Sequence, residues 1–133
     1  MIKLVRLNRL IINTFILVLS KINGFRLIKN LKEVSVMSVC VLVEGTLKDE
    51  FTEVFPVICG DGFKVTRKVD GCQNINLVIN SENLNNFVFT EVWDSKEHYD
   101  KYFAFRLEDG TIGAIQNMCS DGPEVRVFNI TDA

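Results

Sequence analysis

From Met37 onward the chain switches repeatedly between two hydrophobic periods, and the switches mark its elements. Val39, Val41 and Val43 alternate with Cys40 and Leu42, so a strand over 37–44 is apolar on both faces and should be covered on both. Thr46-Leu47-Lys48-Asp49 has the spacing of a capping box. Leu47, Phe51, Val54, Phe55 and Ile58 follow at helical spacing. A helix that starts there carries Pro56 well inside it, where the missing N–H should kink it, and Gly60 and Gly62 would end it. Residues 63–69 read equally as a further helical turn or a loop. After the turn signal Asp70-Gly71, residues 72–80 alternate again, with Ile75, Leu77 and Ile79 on one face and Asn74, Asn76 and Asn80 on the other. A polar turn over 81–86 leads into a strand over 87–93, and the two strands are close enough to form a hairpin. Period two then gives way to helical spacing. Asp94 caps the new helix with Glu97 as its partner, and Tyr99, Tyr102, Phe103 and the stem of Arg106 share one stripe until Glu108-Asp109-Gly110. Residues 111–119 fit a short third helix, Asp121-Gly122-Pro123 a loop, and 125–130 a last strand.

The order β-α-β-β-α-β is the ferredoxin-like, split βαβ pattern of the α+β class: a four-stranded antiparallel sheet with helices on one face. The other face would be wet in a monomer. Val39 with Leu42, Phe87 and Phe89 with Val88 and Val92, and Val127 with Phe128 place apolar residues on both faces. Soluble monomers avoid large exposed apolar patches, which predicts a homodimer joined sheet face to sheet face.

Composition adds one domain boundary. Of the 15 Lys and Arg, seven lie in residues 1–36 beside a single acid, Glu33, for a local charge of +6; the remaining eight face 16 acids, giving −8 for residues 37–133. An acidic body argues against a nucleic-acid partner, which needs a basic face. Residues 1–36 are thus a basic, apolar extension of the domain at 37–133. The apolar run 10–19 behind Lys3, Arg6 and Arg9 resembles the start of a signal peptide, but no small-residue cleavage site follows and the run is short for a membrane span of about 20 residues. The favoured expectation is a translational start placed too early, with Met37 as the functional first residue. A basic amphipathic surface helix, the one route to membrane contact, is the alternative. Cys40, Cys59, Cys72 and Cys119 have no spacing that suggests a zinc or redox pair; buried reduced thiols are expected, which suits a cytoplasmic protein without a metal.

The candidate chemistry gathers where the strand ending at Trp93 enters a helix. Glu91 shares a strand face with Phe89 and Trp93; on a dry face its pKa would rise and it can act as general base or acid, or it can simply pair with Arg106, Arg126 or a partner chain. Trp93 can stack on a flat ligand or pack in the core. His98 titrates near neutrality and can shuttle a proton, although the first helical turn usually exposes its side chains. Tyr102 can orient a ligand oxygen or reach from core to water. Tyr99 and Phe103 on the same helix would add ring contacts. Arg126 can pair with an acid or a ligand carboxylate, or remain solvated.

Residues 37–130 resemble the antibiotic biosynthesis monooxygenase family of dimeric α+β barrels. The likeness lies in the early strand, Gly71-Cys72 before the second strand, Glu91-Val92-Trp93-Asp94-Ser95 running from strand into helix, and Asp121-Gly122-Pro123 entering the final strand. It implies the fold, the homodimer and an oxygenase without metal, flavin or other cofactor, in which the electron-rich ring of an aromatic, polyketide or quinone-type substrate reacts with oxygen. Glu91, His98 and Tyr102 are then the catalytic candidates, and Phe89, Trp93, Tyr99, Phe103 and Arg126 the ligand-binding ones. Two departures stand out: Tyr102 takes the place, nine residues after the Trp, where the family commonly has His, and the first strand lacks the Asn used by haem-degrading members. The alternative is a binding module that holds a fatty-acid-like or polyketide ligand without turnover, and a third reading is a structural dimerisation unit with no ligand.

Overall fold

The computed structural model describes residues 37–133, and the expectations for residues 1–36 lie outside the described residues. The order along the chain is β1 (Val39–Leu47), a 3-10 turn (Asp49–Phe51), α1 (Phe55–Thr66), β2 (Cys72–Asn80), β3 (Asn83–Trp93), α2 (Lys96–Glu108), α3 (Thr111–Met118) and β4 (Cys119–Asn129). The four strands form one sheet in the order β2-β3-β1-β4 with every neighbouring pair antiparallel, which is the ferredoxin-like arrangement predicted from the alternation.

Period two builds the sheet. Along β1 the buried positions are Val39, Val41, Val43, Gly45 and Leu47, with half-buried residues between them. Along β3 they are Phe87, Phe89, Glu91 and Trp93. Antiparallel register aligns these parities across the strands, so that Val41, Glu91 and Ile75 stand side by side. The helices close over this face, and the core is the layer between: Val39, Val41, Phe55, Phe63, Ile75, Phe87, Phe89, Trp93, Tyr99 and Met118 among others.

Several expectations near the helices are corrected. Thr46-Asp49 is not a capping box, because β1 runs on through Thr46 to Leu47, whose side chain is buried in the core. The helix starts later, and Pro56 lies in its first turn instead of its interior. The first four N–H groups of a helix have no partner within it, so the missing donor costs nothing there and no kink follows. Gly60 and Gly62 do not end α1; they lie within it, on a side where an added Cβ would meet nothing within 4 Å. The inward stripe is Phe55, Cys59, Phe63 and Thr66, while Val54 and Ile58 are exposed. On α2 the cap is Ser95, not Asp94: the Ser95 side chain accepts from the backbone N–H of His98. Asp94 instead uses its backbone N–H to hold the Gly71 carbonyl at 2.8 Å. The segment 121–123 belongs to β4, where the pairing with β1 shifts register beside Glu44 and Thr46.

The second sheet face carries Asn74, Val92, Cys40 and Phe128 in one cross-strand row, Asn76, Thr90, Leu42 and Arg126 in the next, and Val78, Val88, Glu44 and Glu124 beyond. No helix of the chain's described residues covers it: Val78 and Phe128 are each 46% exposed, and Cys40, Leu42, Val88 and Val92 are half-buried.

Candidate active site

A cavity of about 320 Å³ lies between the sheet and the helices. That is at the small end of the range for ligand pockets, roughly 300–1,000 Å³. Its walls are mostly apolar. One end is phenylalanine: Phe55, Phe63 and Phe89 line it, Phe63 stands edge-on to Phe89 at 5.1 Å between centroids, and Phe55 lies nearly parallel to Phe89 at 6.0 Å. The sheet supplies Phe89 and Val43 through their inward parity, and α1 supplies Phe55, Cys59 and Phe63 one turn apart.

The buried polar groups come from β3, α1 and α2. Glu91 lines the cavity, is 3% exposed, and is flanked across the strands by Val41 and Ile75, both fully buried. Its Oε2 accepts a hydrogen bond of 2.8 Å from Trp93 Nε1. Burial pushes the carboxyl up to about 7, and the indole N–H offsets that only in part. Glu91 therefore changes charge near neutrality, in a dry wall, with a fixed donor holding one oxygen. No arginine pairs with it among the described residues; Arg106 bridges to Asp109 at 3.1 Å and Arg126 to Glu44 at 3.0 Å.

Tyr99, Tyr102 and Phe103 line the same cavity from α2, as their helical stripe predicted. Tyr102 is not a residue reaching to water: its hydroxyl lies 2.9 Å from Thr66 Oγ1 in a buried contact. Burial first, and the nearby Glu91 charge next, raise Tyr99 above its ordinary value. Tyr102 is raised as well, by burial, against the lowering effect of its Thr66 and Arg106 neighbours. Both phenols thus stay protonated at neutral pH.

Three of the sequence candidates stand elsewhere. Trp93 is fully buried behind the cavity wall, with its ring 4.7 Å from Tyr102 and 6.0 Å from Tyr99 between centroids; it positions Glu91 through its N–H instead of offering a stacking surface. His98 does not line the cavity: its Nδ1 is 2.7 Å from Ser95 Oγ and its Nε2 3.5 Å from Asp70. Gly71, at a φ of +86°, makes room for that ring; a Cβ there would sit 2.4 Å from it. Arg126 is on the other sheet face, opposite Leu42, because residue 126 has the parity of Cys40 and Leu42 in the β1–β4 register.

Thr66, absent from the sequence candidates, and Arg106, read there only as a stripe residue and a partner for Glu91, also line the cavity, as does α3 through Ile112, Ile115 and Met118. Arg106 is only 6% exposed. Its Nη2 donates to Gly62 O at 2.8 Å and to Thr66 Oγ1 at 3.2 Å, while Nη1 donates to Asp109 Oδ2 and Thr111 Oγ1. Burial opposes its charge, but Tyr102 and Asp109 alongside outweigh that and hold it above its ordinary value. The signal was present: a charged residue on the apolar stripe, four after Tyr102 and seven after Tyr99. Cys59, also in the wall, is pushed up to about 12 by burial and is an inert thiol. Among the described residues no group of three or more His, Cys, Asp or Glu is placed to hold a metal ion, and no helix is long and apolar enough to cross a membrane.

The sequence model described as "Antibiotic biosynthesis monooxygenase" matches residues 38–104, just over half of the chain. Solved structures share the fold at low identity. A conserved protein from Methanosarcina mazei is 16% identical with a TM-score of 0.66, the match covering 73% of this chain and 96% of that one. A protein from Mycobacterium tuberculosis is 16% identical with a TM-score of 0.64, covering 72% and 97%. A candidate antibiotic biosynthesis monooxygenase from Deinococcus radiodurans is 17% identical with a TM-score of 0.63, covering 71% and 94%. No curated protein matches the chain.

Proposed function

Because the chain belongs to the antibiotic biosynthesis monooxygenase family, we propose that its cavity binds a flat, apolar substrate of aromatic, polyketide or quinone type and that Glu91 is the proton acceptor of an oxygenation. The observation that carries this reading is Glu91 itself: a carboxyl facing an aromatic cavity, held by Trp93 and poised to ionise near pH 7. A general base works best with a pKa near the working pH. The ionised carboxylate removes a proton from an activated C–H or O–H of the substrate. The resulting electron-rich ring then passes electrons to oxygen, with no metal or flavin required. Phe89, Tyr99 and Phe103 hold the rings, and Tyr102 orients a ligand oxygen. His98 and Arg126, outside the cavity, have no part in the proton transfer.

The working unit in this reading is a homodimer formed through the second sheet face, where Leu42, Val88, Val92 and Phe128 have no cover from the described residues of their own chain. Sedimentation of the full chain should show a dimer; a monomer at high concentration would end that part of the proposal.

Oxygen uptake by the purified full chain with anthrone or a hydroquinone tests the chemistry. The rate should rise with pH through about 7, as Glu91 ionises. It should fall by roughly 10²–10⁴-fold in Glu91→Gln. An unchanged rate in that variant removes Glu91 from the reaction. Binding without turnover is the second reading, favoured by Tyr102 standing where the resemblance leads one to expect a histidine; a ligand that binds with no oxygen uptake at any pH would select it.

A further inference from the structure

α1 carries Gly60 and Gly62 in its interior, where glycine weakens a helix relative to alanine. A Cβ built on either would meet nothing within 4 Å, so close packing demands neither of them. They differ in what lies beside them. Gly60 is exposed and takes no part in the cavity, whereas Gly62 is half-buried and lines it. The empty space next to Gly62 therefore belongs to the cavity, and burial along the wall places it at the edge. On α1, Cys59 and Phe63 are buried, but Ile58, four residues before Gly62 and on the same side of the helix, is 43% exposed. On α3, Met118 is buried and Ile115 half-buried, while Ala114 and Gln116 are exposed. The cavity thus opens to solvent between α1 and α3. Arg106 ties the two helices beside that opening: one guanidinium donates to Gly62 O at 2.8 Å and to the hydroxyl of Thr111, the first residue of α3, at 3.3 Å.

We propose that Gly62 is the gatekeeper of this cavity: the space left by its missing side chain is the passage through which a flat ring compound enters between α1 and α3, so the residue at this position sets the width of ligand that the site accepts. The inference rests on the reading that the cavity takes an apolar ring compound, and it adds how such a compound gets in and what limits its size. Carbon atoms in contact stand about 3.5–4.0 Å apart. The clearance beside Gly62 gives the edge of a fused ring that room, and a leucine there would take it. Gly60, on the same helix with the same clearance but away from the cavity, supplies the control.

The test is the rate at which the full chain takes up 9-anthracenemethanol, a flat three-ring probe that accepts energy from tryptophan. Trp93 is the one tryptophan of the chain, and its ring packs 4.7 Å from Tyr102 of the cavity wall, so stopped-flow energy transfer reports arrival in the cavity. Gly62→Leu should slow uptake by about tenfold or more, the scale on which added methylenes obstruct a fitted pocket. Gly60→Leu should take up the probe at the wild-type rate. Gly62→Ala gains helix propensity and meets no neighbour, so it should fold even if the leucine variant does not, and it should slow uptake by a smaller factor. Wild-type uptake in the folded Gly62→Leu, or in Gly62→Ala where leucine does not fold, overturns the gate and leaves the cavity as a binding site entered elsewhere, such as the β4 flank where Val125 borders it and is 39% exposed. Equal slowing in Gly60→Leu also overturns it, since that change does not touch the opening. No energy transfer in wild type at any probe concentration overturns the gate and the ligand-binding reading together.

Discussion

β3 presents two faces that differ by one residue in register and by everything in use. Phe87, Phe89, Glu91 and Trp93 point under the helices and are all buried; Val88, Thr90 and Val92 point away and are half-buried. Neither face is polar enough to stand in water alone. The chain covers the first with its own helices, and on that side of β3 it places one carboxyl, Glu91, between Val41 and Ile75. Its described residues leave the second uncovered. Burial on the covered face is therefore what turns an ordinary carboxylate into a group that titrates near neutrality, whereas Glu44 on the open face is half exposed and pairs with Arg126. The same alternation thus yields a buried carboxyl beside a cavity on one side and an apolar face uncovered by the described residues on the other.

Substitutions should separate the two faces by size of effect. Phe87→Ala empties the centre of the phenylalanine cluster, where Phe87 lies 4.6 Å from Phe55 and 5.2 Å from Phe89 between centroids. It should cost about 3–5 kcal/mol in urea unfolding. Glu91→Gln should act next, and in a pH-dependent way. The folded carboxyl, near 7 against an ordinary 4.5, binds its proton more tightly than the unfolded one. Wild-type stability is thus unaffected well below about 4.5 and declines as pH rises through about 7, levelling off above that once the buried charge has formed in full. The variant has no such charge. Relative to wild type it should gain stability between pH 5 and 8, by about 3 kcal/mol, checked by unfolding across that range. Val92→Asp, on the open face, should leave the fold intact but shift the sedimenting species from dimer to monomer. Arg126→Ala should change unfolding stability by less than about 1 kcal/mol, since its pair with Glu44 is nearly half exposed on both sides.

The strands were legible because a period of two needs only a few residues to declare itself. β2 begins and ends at the predicted residues, and the parity of β3 put Phe89, Glu91 and Trp93 on one face, which is the face the helices cover. The start of α1 was not legible from Thr46-Asp49, since a capping-box spacing is short enough to arise inside a strand that simply continues. Pro56 carried the better signal, being favoured in the first turn of a helix. Ser95 and Asp94 are both good caps; the Gly71 carbonyl, which holds the Asp94 N–H, decides between them, and that contact is long-range. In the site, Tyr99, Tyr102, Phe103, Phe89 and Glu91 were visible as one strand face and one helix stripe. Thr66 was not, and Arg106 was visible only as a charged residue on that stripe, because the contact between them depends on α1 and α2 packing together, which no local period encodes. His98 and Trp93 were near the site in sequence, but the cap turn and the strand end aim them out of the cavity.

The most direct test is a titration of Glu91 alone, following the side-chain carboxyl carbon of ¹³C-labelled glutamate in the full chain by NMR and assigning its signal by the loss of that signal in Glu91→Gln. A midpoint near pH 7 is the predicted result. A midpoint near 4.5, the value of a solvated glutamate, would mean that the cavity is wet and that the covered face holds no group tuned for proton transfer.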